Sequence, residues 1–381
     1  MEDCDVLIVG GGPAGSTCAW RLREAGLHVI VIDKAVFPRD KPCAGWITPQ
    51  VVHALQLDLA AYARGRTLQP ITGFRISVMG RRSVVEVRYG GPVSFGIRRC
   101  EFDQYLLERS GATLRTNMPV KDVRRDQGRW IVNETMRAPI LIGAGGHWCP
   151  VARVLNVSHR EQRGQGGGPI VAAQEAEFPI EASPWTNFIT AADTPEFYFC
   201  PDLKGYGWCF RKQRYLNVGL GRIDPHGVSR ATADFASSLK ADGRLPPDVE
   251  CDWRGHAYLV GQPRLRRIAG ENVLLVGDAA GLAHARSGEG IRAGIESGLI
   301  AASMVARRER FAGYEARLRQ QGIVGSSPAT SVVSANLSSN LSAMLGGRLL
   351  QWPWFVQRVV LDRWFLRRKA PALGILRPDA A

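Results

Sequence analysis

The sequence predicts an α/β fold in which a parallel-sheet domain is interrupted by a β-rich domain and followed by a mainly helical region. Residues 5–33 read as a buried strand, a glycine-rich turn, a helix and a second strand, which form one βαβ unit. Residues 66–95 alternate apolar and polar side chains, as antiparallel strands do. The segment VLLVGDAAG at residues 273–281 is again an apolar strand with a glycine-rich turn, so the α/β pattern resumes late in the chain.

Length and composition are those of a globular protein. The 381 residues suffice for two domains with a large core, and 45% of them are apolar against 22% charged. The sequence contains no run of about 18 uncharged apolar residues, and its acidic N-terminus leads directly into a strand. We therefore predict no membrane span, no signal peptide and a cytoplasmic location. The eight cysteines are scattered without metal-ligand spacing, so we expect reduced thiols and no metal site.

The net charge of +14 is strongly basic, which is typical of proteins that bind nucleic acid, an anionic membrane or an acidic substrate. No nucleic-acid-binding motif is present, so we expect no nucleic-acid partner. Basic residues are densest at 354–371, where arginines stand beside tryptophans in an amphipathic helical pattern. Such a helix either packs on the protein's own core or lies on a membrane surface. Both arrangements are compatible with peripheral contact at the inner face of a membrane.

The first glycine-rich turn has the spacing Gly10-x-Gly12-x-x-Gly15 between a strand and a helix. In dinucleotide-binding folds the first glycine permits a tight turn, the second lets the main chain approach a pyrophosphate, and the third lets helix pack on strand. Asp33 ends the second strand, where a carboxylate accepts hydrogen bonds from ribose hydroxyls. Together these features favour a dinucleotide site over a fortuitous glycine turn.

The second turn, GDAAGLAHARSGEG at residues 277–290, favours FAD over NAD because the long FAD molecule needs a second binding loop at its flavin end. Asp278 is expected to accept hydrogen bonds from the ribityl or pyrophosphate-side hydroxyls. Gly288 and Gly290 would let the main chain approach the flavin ring, towards which the following helix points its positive end. The alternative is an unrelated strand, turn and helix.

The changes along the chain between α/β, β-rich and helical patterns divide it into six segments. These segments belong to a Rossmann-like FAD-binding domain, a β-rich substrate domain and a helical region. The predicted FAD-binding segments are 1–65, 96–160 and 263–305; the substrate segments are 66–95 and 161–262; and the helical C-terminal region is 306–381, which borders a lipid tunnel or a membrane in this interpretation.

Six motifs spread over nearly the whole chain resemble the geranylgeranyl reductase family of FAD-dependent oxidoreductases, within the p-hydroxybenzoate hydroxylase-like superfamily. They are VLIVGGGPAG with Asp33, FPRDKPCAG (37–45), RRCEFDQYL (98–106), GAGGHWCPVAR (143–153), GYGWCF (205–210) and GDAAGLAHARSGEGI (277–291).

The resemblance implies a set of cofactor-binding residues. Arg99 matches the arginine that lies near the FAD pyrophosphate, with Arg98 as the alternative contact. The full implied set is Gly10, Gly12, Pro13, Ala14, Gly15, Asp33, Lys34, Cys43, Ala44, Gly45, Arg99, Gly277, Asp278, Gly288, Gly290 and Ile291.

The resemblance also implies residues beside the substrate. Cys43 is predicted to donate a proton or to shape the pocket, and His284 to act in proton transfer. Tyr206, Trp208 and Phe210 share one face of a strand and are predicted to form an aromatic wall for an apolar substrate, with Tyr206 also a hydrogen-bond donor. The alternatives without a functional role are that Cys43 is a plain buried thiol, that His284 is a loop residue and that the three aromatic residues belong to an ordinary sheet core.

Three departures from the family pattern put the substrate in doubt. Arg211 replaces the proline of Y-x-W-x-F-P, Gly145-Gly146 replaces Asp-Gly, and Ala285 replaces the proline of P-x-x-G-E-G. The resemblance implies reduction of C=C bonds in a prenyl or other long apolar substrate, with NADPH as the electron donor. The alternatives are an FAD-dependent monooxygenase or halogenase-like enzyme that uses oxygen, and a flavin-binding protein without turnover.

Overall fold

The computed structural model describes residues 1–156, 170–180, 190–223, 225–260, 266–324, 345–370 and 373. The loop predicted at 160–168 lies outside these residues. The strands of the described residues run in chain order as β1 Glu2–Asp3, β2 Val6–Val9, β3 Val29–Ile32, β4 Trp46–Ile47, β5 Leu68–Ile71, β6 Gly73–Val78, β7 Val84–Arg88, β8 Ser94–Ile97, β9 Thr113–Arg115, β10 Val123–Asp126, β11 Arg129–Val132, β12 Met136–Ala138, β13 Ile140–Gly143, β14 Ile170–Pro179, β15 Glu196–Phe199, β16 Gly205–Lys212, β17 Tyr215–Arg222, β18 Arg254–Leu259, β19 Ala269–Gly270 and β20 Val273–Leu275.

The α-helices lie between these strands and after them. They are α1 Pro13–Glu24, α2 Pro49–Ala54, α3 Leu59–Ala63, α4 Arg99–Arg109, α5 Pro150–Leu155, α6 Val228–Ala241, α7 Ile291–Ala306, α8 Tyr314–Gln320 and α9 Pro353–Phe355, which continues as a π-helix over Val356–Phe365; short 3-10 turns lie at Pro225–Gly227, Gly277–Ala280 and Phe311–Gly313.

A six-stranded sheet in the order β19-β20-β13-β2-β3-β9 forms the first layer, and all of its strands except β19 run parallel. The apolar runs VLIV of β2 and VIVI of β3 are fully buried, as expected for central strands covered on both faces. The carboxyl ends of β2, β3, β13 and β20 therefore meet at one edge, where ligands bind in such sheets.

Helices α1 and α7, which each follow one of the two glycine-rich turns, cross in close contact. Ala14 at the start of α1 lies against three glycines of the distant part of the chain. A Cβ atom built on Gly277 would lie 3.1 Å from the Ala14 Cβ, and one on Gly294 would lie 3.5 Å from it. On Gly298 it would lie 2.5 Å from the Ala14 carbonyl oxygen. The absence of these side chains brings the two turns together.

A seven-stranded sheet in the order β18-β14-β17-β16-β15-β6-β7 forms the second large layer. Its pairs are antiparallel except β6 with β15, so residues 73–88 join a sheet built from residues 170–259. Smaller sheets, β4-β8-β5 and β1-β12-β11-β10, complete the fold.

The C-terminal segment packs on the seven-stranded sheet. Val356, Val360, Leu361 and Phe365 are buried among side chains of that sheet. The prediction that this amphipathic segment packs on the protein's own core is therefore confirmed for its described part. In the part of the chain that the structure describes, no helix is long and apolar enough to cross a membrane.

The predicted fold class is confirmed: a mainly parallel sheet with its helices is combined with a β-rich layer. The strands of the parallel sheet come from three separate stretches of the chain, as an interrupted domain requires. The six domain boundaries stay a prediction.

We expect Gly298→Ala to lower the free energy of unfolding of the protein by about 1–2 kcal/mol, because its methyl group would press against the Ala14 main chain. The matched control is Gly294→Ala in the same helix, whose methyl group would make an ordinary contact with Ala14. This control should raise stability by up to about 1 kcal/mol through helix propensity. Urea unfolding without cofactor measures both, and equal effects of the two variants would contradict the close helix crossing.

Candidate active site

A cavity of about 1010 Å³ lies where the carboxyl edge of the parallel sheet faces the seven-stranded sheet. Both glycine-rich turns, the segment 39–46 and one face of the seven-stranded sheet line it. The volume lies at the upper end of the range of about 300–1,000 Å³ for small-molecule sites. It therefore has room for an elongated ligand, or for a cofactor with a substrate beside it.

The first turn places main-chain atoms on the cavity wall. Gly10 has a φ of +115°, and a Cβ there would collide with the carbonyl oxygen of Ala144. Gly12 precedes α1 and provides no side chain to cap it, and Gly12, Pro13 and Ala14 at this helix N-terminus line the cavity. Gly15 does not line the described cavity; a Cβ there would collide with the Gly10 carbonyl oxygen, which is the close packing predicted for the third glycine.

Asp33 holds the first turn in shape. Its Oδ2 accepts a hydrogen bond from the Gly11 N–H at 2.8 Å, and its Oδ1 accepts one from the Ala35 N–H at 2.9 Å. A carboxylate has about four acceptor positions, so these two bonds leave further acceptor positions on Asp33, which lines the cavity. Asp33 can thus order the turn and still accept hydrogen bonds from a ligand.

Two arginines converge beside this turn around one buried carboxylate. Arg99 makes a bidentate pair with Asp103, with both N–O distances at 2.8 Å. Arg39 Nη2 lies 3.2 Å from the same carboxylate and about 3.4 Å from where a Cβ of Gly12 would stand. Two positive charges against one negative charge leave a net positive charge at the cavity wall. This suits a pyrophosphate.

Arg98 turns away from this region. Its guanidinium donates to Glu177 at 3.0 Å and to Glu101 at 3.1 Å, and it stacks over Tyr215. Among the described residues, Arg99 lines the cavity and Arg98 does not. The alternative assignment of Arg98 as the pyrophosphate contact is thus not supported by its position.

Asp278, in the second turn, lies in a charged cluster. Its Oδ2 lies 3.6 Å from His256 Nε2, and Lys41 Nζ lies 2.8 Å from His256 Nδ1. Burial lowers the pKa of Lys41 to about 8 and also lowers the pKa of His256. Burial acts to raise the pKa of Asp278, but the neighbouring His256 and Lys41 outweigh it and hold that pKa below its usual value. Asp278 is therefore an ionised acceptor on the cavity wall.

The rest of the second turn is fixed by tyrosines. A Cβ on Gly288, whose φ is +68°, would collide with the Tyr258 hydroxyl. The Tyr206 hydroxyl donates to the carbonyl oxygen of Ser287. Gly290 precedes α7, and its position lies beside Asp278 Oδ1. The main chain at 288–290 therefore forms cavity wall directly, and no side chain intervenes at the two glycines.

The position of His284 does not fit the predicted role in proton transfer. Its Nδ1 lies 2.9 Å from Ser287 Oγ, and the residue is not among the described residues that line the cavity. Burial, together with the charges of Arg367 and Arg286, lowers the pKa of His284 to about 4. The His284 ring is therefore neutral, and it stabilises its own loop through its contact with Ser287.

The aromatic face lies where the strand pattern predicts it. Tyr206 and Trp208 line the cavity together with Phe197 of the neighbouring strand. Phe210 lies on the same face but is buried against Phe197 and Trp46, and it is not among the described cavity residues. The wall is thus formed by Phe197 in place of Phe210, because Phe210 lies deeper along the strand.

Glycines keep the middle of this face open. Gly219 of β17 lies between Trp208 of β16 and Glu175 of β14, and a Cβ on Gly219 would collide with the Trp208 indole. Gly221 stands likewise between Tyr206 and Ala173. Without these side chains the indole lies across β17 towards Glu175.

Cys43 connects the cavity-lining segment 39–46 to this face of the seven-stranded sheet. Its N–H donates to Glu175, and its carbonyl oxygen accepts from Asn217 Nδ2 at 3.2 Å. Gly45, two residues on, has a φ of +66° and brings the main chain against Ile97. Cys43 is half-buried and lines the cavity, as do its neighbour Ala44 and Gly45.

Arg39, Glu175 and His256 are among the cavity residues that the prediction missed. Arg39 stands inside the FPRDKPCAG motif, and its positive charge there was a usable signal. Glu175 and Glu177 stand two residues apart in the mainly apolar strand IVAAQEAEFP, which places two carboxylates on one buried face, although only Glu175 lines the described cavity. His256 carried no signal, because only the register of β14 with β18 brings it to the cavity.

The residues present fit FAD. Glycine main chain forms the wall at both ends of the cavity, an aspartate stands at each turn, and a net positive charge lies beside the first turn. Apart from Gly15, every residue of the predicted cofactor set lines the cavity: Gly10, Gly12, Pro13, Ala14, Asp33, Lys34, Cys43, Ala44, Gly45, Arg99, Gly277, Asp278, Gly288, Gly290 and Ile291.

A family profile described as FAD binding domain matches residues 3–321. The chain belongs to this family. Membership confirms an FAD-binding domain and the class of FAD-dependent oxidoreductase.

Curated relatives of this family member include reductases. A protein named menaquinone reductase from Mycobacterium tuberculosis is 31% identical over 81% of this chain and 78% of its own length. The digeranylgeranylglycerophospholipid reductase of Methanococcus vannielii is 26% identical over 84% and 83%, and the geranylgeranyl diphosphate reductase of Rhodobacter capsulatus is 29% identical over 75% and 71%. The resemblance to geranylgeranyl reductases is thereby confirmed.

Solved structures share the fold. A geranylgeranyl bacteriochlorophyll reductase-like protein of Thermoplasma acidophilum has a TM-score of 0.68 at 20% identity, over 94% of this chain and 99% of that one. A flavin-dependent halogenase has a TM-score of 0.63 at 18% identity, over 92% and 72%. Because this FAD-binding fold supports both reductases and halogenases, it does not choose between them.

We expect Arg39→Gln to weaken FAD binding by roughly 10-fold to 100-fold, since a hydrogen bond to a charged group contributes about 1.5–3 kcal/mol. Titration of the apoprotein with FAD measures the dissociation constant. Arg98→Gln is the matched control, because Arg98 lies outside the described cavity wall, and it should change the constant by less than about threefold. Equal weakening by both variants would contradict the pyrophosphate assignment.

Proposed function

We propose that the protein is an FAD-dependent reductase of C=C bonds in a prenyl or other long apolar substrate. The observation that carries this is the aromatic face of Phe197, Tyr206 and Trp208, which opens onto the same cavity as both glycine-rich turns. An apolar chain held there would lie beside the cofactor. Three relatives are named as reductases, two of them of geranylgeranyl compounds, which supports the same substrate class.

In this proposal Arg39, Arg99 and the first turn hold the pyrophosphate of FAD, and Asp33 holds its ribose. Asp278 and the main chain at 288–290 hold the flavin half. When bound and reduced, FAD supplies two electrons and one hydrogen to the substrate double bond. We take NADPH as the donor that reduces it.

The protein's own contribution is positioning and exclusion of water. An isolated alkene has no polar group to activate, so its rate depends on being held at the cofactor in a fixed orientation. Trp208 is anchored for this purpose, because its Nε1 donates to Asn217 Oδ1 at 2.7 Å. Tyr206 is anchored through Ser287, which belongs to the second turn. The hydrogen bond from Tyr206 therefore fixes the aromatic wall relative to the second glycine-rich turn.

Anaerobic single-turnover kinetics test this function. Protein with FAD, reduced by NADPH, is mixed with geranylgeranyl diphosphate in the absence of oxygen. We expect the absorbance of oxidised flavin to return and the product to gain one H2 by mass spectrometry. The fully saturated phytanyl diphosphate is the matched control and should leave the flavin reduced. Flavin that stays reduced with both compounds and reoxidises only in oxygen would support the monooxygenase alternative instead.

We also propose that the protein contacts a membrane surface, from which a lipid substrate is drawn. Trp352 and Trp354 are 56% and 57% exposed, and their rings lie 5.5 Å apart. Exposed Leu349, Arg348 and Arg358 flank them, which combines apolar and cationic side chains as at a membrane interface.

Replacement of both tryptophans by alanine should weaken binding to phosphatidylglycerol vesicles by about tenfold or more. Cosedimentation measures this. Trp148→Ala is the matched control, since Trp148 is 73% exposed but lies at the cavity, far along the chain from this surface. Binding that is equally reduced by the control, or unchanged in the double variant, would contradict the proposed surface.

A further inference from the structure

Glu175 stands at the end of the aromatic wall. Paired residues of neighbouring strands point to the same face of a sheet, and the pairing Phe197–Trp208–Gly219–Glu175 forms one row across β15, β16, β17 and β14. Because Gly219 has no side chain, the Trp208 indole and the Glu175 carboxyl border the same open space. The row therefore leads from the apolar wall directly to an acid.

Among the described residues, no cationic side chain forms an ion pair with the carboxyl of Glu175. It is 9% exposed and accepts from the Cys43 main-chain N–H. Glu177, two residues along the same strand, has a different environment. It pairs with Lys212 at 2.6 Å and with Arg98 at 3.0 Å, so it is an ionised structural acid. Glu175 lines the described cavity and Glu177 does not.

The surroundings of Glu175 suit a proton carrier. Burial raises the pKa of Glu175 to about 7, although Lys212, the Cys43 N–H and Arg99 act to lower it. The negative charge of Glu177 also raises the pKa of Glu175. A carboxyl with such a pKa exists in both protonation states near neutral pH, which is the condition for efficient general acid catalysis.

The other acids near the cavity are less well placed. Glu289 also lines the cavity and burial raises its pKa, but it belongs to the second turn, where its carboxyl accepts the Arg292 main-chain N–H at 2.8 Å. The Tyr206 hydroxyl already donates its proton to Ser287, and burial raises the pKa of Tyr206 above its ordinary value. Cys43 Sγ accepts from the Gly45 N–H at 3.4 Å. His256 lies beside the Lys41 ammonium, at the far side of Ala173 from this row.

We propose that Glu175 is the catalytic acid that delivers the proton to the substrate double bond. This inference rests on the proposed function. The π bond of the alkene breaks; one carbon takes a hydrogen with two electrons from reduced flavin, which is the reductant, and the other carbon takes the proton of Glu175. The O–H bond of Glu175 breaks, and its carboxylate regains a proton from solvent.

The first test needs no turnover. Infrared difference spectra of the purified protein between pH 6 and pH 8 should contain a protonated-carboxyl band that disappears as the pH rises and that Glu175→Gln lacks. Buried Glu289 and Glu296, whose pKa values burial also raises, account for any band that the wild type and Glu175→Gln share. In Glu177→Gln the Glu175 band should remain but titrate at lower pH, because the negative charge of Glu177 helps to raise the pKa of Glu175. A wild-type spectrum without any band that Glu175→Gln loses would overturn the proposal.

The second test is anaerobic reoxidation of the reduced holoenzyme by geranylgeranyl diphosphate. Glu175→Gln should slow this step roughly 100-fold or more, while reduction of its flavin by NADPH is unchanged. The wild-type rate should fall as pH rises through about 7, because Glu175 loses its proton there, and the residual rate of Glu175→Gln should be flat over the same range. Glu175→Asp, which keeps an acid, should recover part of the rate and the pH dependence.

The outcomes separate the two proposals. Wild-type enzyme that reduces the prenyl substrate, with Glu175→Gln within about threefold of it and the same pH profile, overturns the role of Glu175 alone. Wild-type enzyme that does not reduce the substrate overturns the proposed function, and the role of Glu175 falls with it. If Glu175→Gln does not retain FAD, Glu175→Asp decides: a wild-type rate with no displaced pH profile would overturn the proposal.

Discussion

The contact between Ala14 and the glycines of α7 is the constraint on which the rest of the site depends. The first glycine-rich turn and the second are separated by more than 260 residues, yet the missing side chains of Gly277, Gly294 and Gly298 let the two helices cross at main-chain distance. Because interiors are close-packed, a methyl group on Gly298, only 2.5 Å from the Ala14 carbonyl oxygen, would move the helices apart. The crossing thus sets the distance between the two ends of a single cavity.

The two sheets form different parts of the cavity wall. The parallel sheet provides main-chain donors and a net positive charge, supplied by Arg39 and Arg99 around the buried Asp103. The seven-stranded sheet provides an apolar wall that two glycines of β17 hold open. Cys43 connects them through hydrogen bonds of its main chain to Glu175 and Asn217, so that the wall is fixed relative to the cofactor loops.

Local sequence patterns predicted the features that depend on local structure. The turns around Gly10 and Gly288, the βαβ unit and the shared face of Tyr206 and Trp208 all follow from spacing along one segment. Features that arise from pairing between segments could not be read in this way. The burial of Phe210 behind Phe197 depends on the register of β15 with β16, and the place of His256 at the cavity depends on the register of β14 with β18.

A crystal structure of the protein with FAD and a non-reducible prenyl diphosphate analogue would test the central claim, that one cavity holds cofactor and substrate between the two turns. We expect FAD to contact both the Gly10–Gly15 turn and the main chain at 288–290, and the prenyl chain to lie against Trp208 with a carbon in contact with Glu175. FAD that leaves the second turn untouched, or a prenyl chain bound away from the aromatic wall, would contradict the account.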